Sequence, residues 1–311
     1  MLKLNAVHKD YLWGGEKLKT LFGKQQNGIL AESWEVSIHP DGLSTVNGQT
    51  FADYLTAHPT AVDKAGSPFG ILIKYIDAKS NLSVQVHPGD DYARSVENDN
   101  GKTEAWYIVD ADEGAGIYCG FNQDVDKNSF LKALEEGSVE KFLNFIPVKK
   151  GDCFINLPGT VHAICGGCVV LEVQQSSNVN YRVYDYNRLG VDGKKRPLHI
   201  QKAMDVINFS KCDGAVVHND TTVLTTCNVA QTIDGNNLLR QLAKCEHFNC
   251  HEITLCGSAQ VGYERSFMVL NVVQGTGTIN GQGFCAGDTF FLECDERATI
   301  CGSAKLVVTT K

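Results

Sequence analysis

No stretch of this 311-residue sequence approaches the roughly 20 uninterrupted apolar residues that cross a bilayer as a helix, so no helical membrane span is expected. The opening residues, Met1 to His8, contain no long apolar run and no cleavage site, which makes the cytoplasm the expected location. Basic tracts are missing as well. The formal net charge is −8, and a chain that wraps nucleic acid needs clustered Lys and Arg to neutralise phosphates. A small phosphate remains within reach of a few local basic residues, because a local field need not follow the global sum. Cysteine is plentiful, but the twelve residues are scattered through a large chain and do not make a disulfide framework, so reduced and mostly buried thiols are expected. Cys165-Gly-Gly-Cys168 has no second CxxC to complete a zinc site and reads as a hairpin turn flanked by small apolar residues.

What is present points to a β protein. The length suits two compact domains or one double domain, and 43% hydrophobic content supports a substantial core. Trp34 to Ile38, Leu82 to His87 and Val169 to Gln174 alternate apolar and polar residues, the period of a strand. Thirty glycines supply turns. Helical patches are brief: Ser129 to Glu136 closed by Gly137, another starting at Ser138, and a third near Leu198 to Val206. Short strands with glycine turns imply a sandwich or barrel with helices added at one end.

An internal repeat sharpens this reading. Gly151 to Gly166 can be laid without gaps over Gly287 to Gly302, with Gly-Asp and Phe agreeing at the start and Ile-Cys-Gly at the finish. Upstream, Gly114-Ala-Gly116 matches Gly275-Thr-Gly277. Two matches in the same order argue for duplicated β-rolls. The copies differ where chemistry would sit. His162 aligns with Ala298, and the glycine anchor sets Glu104 opposite Arg265.

Strand alternation turns Ser83, Gln85 and His87 to one face and Leu82, Val84 and Val86 to the other. A polar row on an inward face is costly unless something satisfies it, and a divalent metal with a polar substrate would do so. Glu104 shares a strand face with Trp106, and His162 follows the Pro158-Gly159 turn into a strand. Gln, Glu and two His offer oxygen and imidazole nitrogen, a set that suits zinc or another first-row divalent ion. Taken singly, each of these residues is more often structural; the combination, lost from the duplicate roll, is what implies a site.

Gly151, Pro158-Gly159 and His162 resemble the second motif of the cupins, with the proline displaced by one position. Gln85-Val86-His87-Pro88, Lys102-Thr103-Glu104, the Glu-x-Trp-x-x-Ser segment from Glu32, and the run from Glu172 through Asn180-Tyr-Arg182-Val-Tyr-Asp-Tyr186 resemble type I mannose-6-phosphate isomerases. The resemblance is strong over residues 1 to 210. It implies a mainly β double β-roll or jelly-roll (a bicupin) with a few appended α-helices, in which 1–210 form a metal-bearing domain and 211–311 a degenerate C-terminal cupin. The long-form helical insertion is absent, so the short form is implied. By the same resemblance Gln85, His87, Glu104 and His162 bind one zinc ion per chain, and Arg182 is the catalytic arginine. The implied reaction interconverts mannose 6-phosphate and fructose 6-phosphate through an enediol.

An arginine keeps its proton and so suits charge stabilisation better than base catalysis. Glu172 is a possible partner or polar wall for it. The base stays open among a carboxylate, a neutral Lys102 and metal-bound water. Lys102, Arg182 and the Gly193-Lys194-Lys195-Arg196 loop are candidates for the substrate phosphate, with Ser83 a further substrate contact, although the loop alone also reads as a solvated turn. Trp13-Gly14-Gly15 fits the family pattern but is assigned no chemistry. Two rivals remain: a metal-dependent cupin oxygenase, disfavoured by Gln85 and Glu104 where more histidines are usual, and a sugar-sensing cupin without turnover.

Overall fold

Trp106 and Ile108 point to one side of their strand while Ala105, Tyr107 and Val109 point to the other, and this period of two sets the layers of the molecule. The computed structural model describes residues 1–190, 193–212, 230–233 and 237–311, with sheets of eight, six and five strands beside a short two-stranded ribbon. The six-stranded sheet runs Cys153–Asn156, Glu104–Ala111, Cys168–Gln175, Ile71–Ala78, Glu32–Val36 and Val7–Lys9. The five-stranded sheet runs Leu143–Pro147, Gly116–Phe121, His162–Ile164, Val84–Val86 and Tyr181–Tyr184. Their facing sides enclose Trp106, Ile108 and Phe154 from the larger sheet with Ile117 and Ile164 from the smaller, which makes the first roll.

The other face of the six-stranded sheet, carrying Tyr75, Tyr107, Val109 and Leu171, packs on Val269, Phe291 and Val307 of the eight-stranded sheet. With both faces covered, every residue of Ile71–Ala78 and Cys168–Gln175 is buried. Each large aliphatic side chain removed from water there contributes about 1.5–3 kcal/mol. The eight-stranded sheet encloses a second apolar interior holding Met268, Leu270, Phe290, Ala298 and Val308. Leu2 and Lys3 pair with Phe291 and Phe290, so the first residues of the chain join the last sheet.

The duplication extends to hydrogen-bond register. Glu104–Ala111 lies between Cys153–Asn156 and Cys168–Gln175, as Met268–Ile279 lies between Thr289–Leu292 and Arg297–Thr310. A bulge skips Val109 in one roll and Val273 at the same place in the other. This register corrects one expectation: Met268, not Arg265, stands where Glu104 stands, since Glu104 pairs with Asn156 and Gln174 and Met268 with Leu292 and Thr310. The glycine anchor misled because Gly114 sits in a turn, whereas Gly275 is a strand residue against which a Cβ would strike the backbone of Ser303 and Ala304. Leu270 takes the place of Trp106 and Val308 that of Glu172.

Helices are short. Thr50 caps Phe51–Ala57 by accepting the Asp53 N–H at 3.0 Å. The helix expected from Ser129 spans Lys127–Glu136, because the Asp126 carboxylate accepts the Ser129 N–H and moves the start upstream; Gly137, at φ +68°, closes it. Ser138 precedes a 3-10 turn, Val139–Phe142, and the third helix is Ile200–Val206. Cys165 and Cys168 flank the expected hairpin turn, and the cysteines among the described residues are free. No described helix is long and apolar enough to cross a membrane.

Candidate metal centre and active-site cavity

Register aligns the residues singled out from the sequence. His162 is the cross-strand partner of Gln85, and Gln85 that of Arg182, so one row of the five-stranded sheet carries all three. On the opposing sheet Asn156, Glu104 and Gln174 form one row, and Trp106, Glu172 and Lys74 another. The Pro158-Gly159 turn fastens the two histidine segments together. Gly159, at φ +84°, donates its N–H to the His87 carbonyl at 2.9 Å, and a Cβ there would lie 2.9 Å from the Val206 carbonyl oxygen.

Three donors converge in the interior. His87 Nε2 and His162 Nε2 are 3.1 Å apart; Glu104 Oε2 is 3.3 Å from the first and Oε1 3.2 Å from the second. Each Nδ1 faces a backbone carbonyl, Val179 at 3.0 Å and Thr160 at 2.8 Å. A carbonyl only accepts, so the ring proton of each histidine is on Nδ1 and both Nε2 lone pairs point at one another. Protonation does not relieve this. Burial, helped by Lys102, pulls His87 down to about 3, and burial lowers His162 too. Glu104 is pushed up by burial, yet the Lys102 ammonium holds it well below the usual carboxylate range. Two bare nitrogens and an ionised carboxylate packed together call for a cation. Ligands about 2.0–2.2 Å from a tetrahedral zinc stand roughly 3.3–3.6 Å from one another, close to the spacings here, so the residues fit such an ion.

Lys102 supplies part of the compensating charge. Its Nζ is 2.7 Å from Glu104 Oε2, 3.4 Å from His87 Nε2 and 3.5 Å from Glu172 Oε1. Glu172 in turn takes Lys74 Nζ at 3.0 Å and the Trp106 indole N–H at 2.7 Å. Lys74 continues to Glu32 at 3.7 Å, whose carboxylate also accepts from Trp34 Nε1. Burial works against the charge of Lys74, but Glu172 and Glu32 hold its ammonium above the ordinary lysine value. Charges of alternating sign thus run inward from Glu32 to Glu104.

Glu32, Lys74, Glu172 and Lys102 of this series line a cavity of about 300 Å³ that also receives Ser83, Gln85 and Arg182. All eight residues expected at the site are therefore in one neighbourhood: five line the cavity, and His87, Glu104 and His162 lie behind Gln85 and Lys102. Gln85 turns its Nε2 to His162 Nε2 at 3.5 Å, and its Oε1 accepts from Asn180, whose own Oδ1 is buried without a partner. Glu172 and Arg182 sit on different sheets, and among the described residues Arg182 forms no ion pair; Glu172 is matched by the two lysines instead. One guanidinium nitrogen of Arg182 donates to the Pro197 carbonyl at 2.8 Å and Nε is buried without a partner. Of the Gly193–Arg196 loop, Arg196 reaches the cavity, braced on Asp185, while Lys195 turns away to Asn187. Trp13, given no role from sequence, forms part of the cavity wall and stacks on Tyr11.

Lys74, Glu32 and Asn180 went unassigned. Lys74 had a signal, since a lone lysine inside the apolar run Ile-Leu-Ile-Lys-Tyr-Ile needs a buried partner.

Residues 1–120 match the family model described as the catalytic domain of type I phosphomannose isomerase. The chain is 38% identical over 306 residues to "Probable mannose-6-phosphate isomerase GmuF" of Bacillus subtilis, covering 94% of this chain and 92% of that one. Its fold superposes on the crystal structure of the mannose 6-phosphate isomerase from Bacillus subtilis with a TM-score of 0.88 at 32% identity, covering 100% of this chain and 99% of that one. At the level of fold alone it also matches a mannose 6-phosphate isomerase bound with zinc and yttrium, at 17% identity, TM-score 0.77 and coverage of 100% and 99%. The donor cluster, the cavity beside it and these likenesses converge on one conclusion: the chain belongs to the type I phosphomannose isomerase family.

Proposed function

We infer that the chain is a mannose-6-phosphate isomerase that moves the carbonyl of a hexose 6-phosphate between C1 and C2. The observation that carries this reading is the pair of proton-free imidazole nitrogens and the buried Glu104 set behind a polar cavity lined by Lys102, Glu172 and Arg182. His87, Glu104 and His162 would hold zinc. Gln85 would be the fourth ligand once its amide and that of Asn180 both turn, so that Gln85 presents Oε1 to the metal and donates its NH2 to the otherwise unsatisfied Asn180 Oδ1. When bound, zinc supplies Lewis-acid polarisation of the sugar oxygens and offsets developing negative charge.

The other work falls to the chain's own side chains. Isomerisation takes a proton from C2 and returns one to C1. Lys102 and Glu172 face the cavity 3.5 Å apart, so a proton can rest on Lys102 Nζ or on Glu172 Oε1. Lys74 keeps Glu172 in place and paired while Lys102 is engaged elsewhere. Arg182 lines the cavity and offers its guanidinium to the oxygen that becomes negative, and Arg196 beside it offers a cation for the phosphate. Ser83 contributes a hydroxyl to the sugar. Residues 237–311 back the six-stranded sheet and would act as a metal-free roll. A coupled assay for fructose 6-phosphate, run with and without a chelator, tests the assignment; absence of turnover in zinc-replete protein would overturn it.

A further inference from the structure

Buried polar side chains continue from Glu104 into the neighbouring strands. Asn156 and Cys119, like Glu104, are almost wholly buried and take no part in the steps described above. Asn156 is the cross-strand partner of Glu104 and donates from Nδ2 to Glu104 Oε1 at 3.2 Å. Its Oδ1 accepts from the Cys119 thiol at 3.2 Å, and Cys119 is itself the cross-strand partner of His162. The four residues therefore close a loop through both sheets: Glu104, Asn156, Cys119, His162. An amide oxygen only accepts, so the thiol is the donor in this contact.

The two carboxylate oxygens of Glu104 are claimed by different neighbours. Lys102 holds Oε2 at 2.7 Å, and Asn156 holds Oε1. An amide can rotate to offer either its oxygen or its nitrogen. If Asn156 offered oxygen, it would repel the carboxylate and push Glu104 away from the histidines. A donor on the far side of Asn156 fixes which way the amide faces, and the Cys119 S–H is that donor. In the duplicate roll the register equivalents of Glu104 and Asn156 are Met268 and Leu292, so the ligand and its support are both replaced by apolar residues.

We propose that Asn156, oriented by Cys119, is a positioning residue that fixes the Glu104 carboxylate for divalent-metal binding. The proposal rests on the reading of His87, Glu104 and His162 as the metal site. Partners of this kind typically contribute about 10–100-fold in metal affinity.

The test is zinc affinity, measured on purified full-length protein by competition with a chromogenic chelator, alongside the melting temperature of the metal-free form. Asn156→Ala should weaken zinc binding by about 10–100-fold. Asn156→Asp, which is isosteric and faces Glu104 with an oxygen, should weaken it at least as much and guards against a failure of the alanine variant to fold. Cys119→Ala should lose a smaller factor, while Cys119→Ser, which still donates, should bind like the parent. A purely structural Asn156 would lower the melting temperature of the metal-free form and leave zinc affinity unchanged in both Asn156 variants; that result overturns the proposal. If Glu104→Ala also left zinc affinity unchanged, the metal site itself would be misassigned, a failure distinguishable from that of Asn156 alone.

Discussion

Replacing Arg182 by alanine separates a catalytic from a structural guanidinium. Its polar atoms make one exposed hydrogen bond, to the Pro197 carbonyl, and among the described residues no carboxylate depends on it. The backbone N–H of residue 182, which donates to His199 Nδ1 at 3.1 Å, survives the substitution. Losing one such side-chain bond costs about 0.5–1.5 kcal/mol, partly offset because the neighbouring Arg196 and Arg188 cations no longer face a like charge. For a chain of this size that is a fall of only a few degrees in melting temperature, at about 2–4 °C per kcal/mol. Loss of a preorganised donor to transition-state charge costs about 100–1,000-fold in rate, or roughly 2.7–4 kcal/mol. Arg182→Ala should therefore stay folded, retain its zinc, and lose at least ~100-fold in turnover with a smaller change in Michaelis constant. Arg182→Lys should recover only part, because an ammonium lacks the planar fork. Steady-state kinetics from the coupled assay, read beside thermal denaturation, decide the matter. Turnover within tenfold of the parent together with a large fall in melting temperature would refute the reasoning and move the role to Lys102 or Glu172.

Three further outcomes are expected. Lys74→Met leaves the buried Glu172 with the Trp106 N–H and, among the described residues, Lys102 as its one cation at 3.5 Å, so it should destabilise the fold by about 3–5 kcal/mol in chemical denaturation, and a neutral result would mean that Lys74 is not a needed partner. His87→Ala and His162→Ala should each reduce bound zinc from about one equivalent to near zero by metal analysis, with no second ion held by residues 215–311; zinc retained in either variant would contradict the ligand assignment. His251, which takes the register position of Lys74 in the second roll, is pulled down to about 4, by burial first and Lys244 second. Its unfolded form takes up a proton near the ordinary value of 6.5 before the folded form does, so stability should fall as pH drops from about 6.5 to about 4. His251→Leu should flatten that part of the profile, and an unchanged slope would refute the assignment.

Much of the fold and site was legible because both depend on short periods. Ser83, Gln85 and His87 recur at every second residue, and the strand does turn them toward one neighbourhood. The duplication was legible in Gly151–Gly166 and Gly287–Gly302 because turns and strand starts constrain residue type at fixed spacing. It failed at Arg265, since a glycine in a turn and a glycine in a strand look alike in sequence. Lys74, Asn156 and Asn180 escaped for a different reason. Each owes its role to a partner far away in the chain, a cross-strand one for Lys74 and Asn156 and a side-chain hydrogen bond to Gln85 for Asn180, and register between distant strands is set by packing and bulges that no local spacing reports. The same applies to Glu172, whose partners proved to be Lys74 and Lys102 rather than Arg182.

The most direct measurement is isomerase turnover on one preparation in three states: as purified, stripped of metal by chelator, and restored with one equivalent of zinc. The account predicts conversion of mannose 6-phosphate to fructose 6-phosphate in the first state, its loss in the second and its return in the third. Full turnover in the stripped protein, or none in the restored protein while it remains folded, would contradict it.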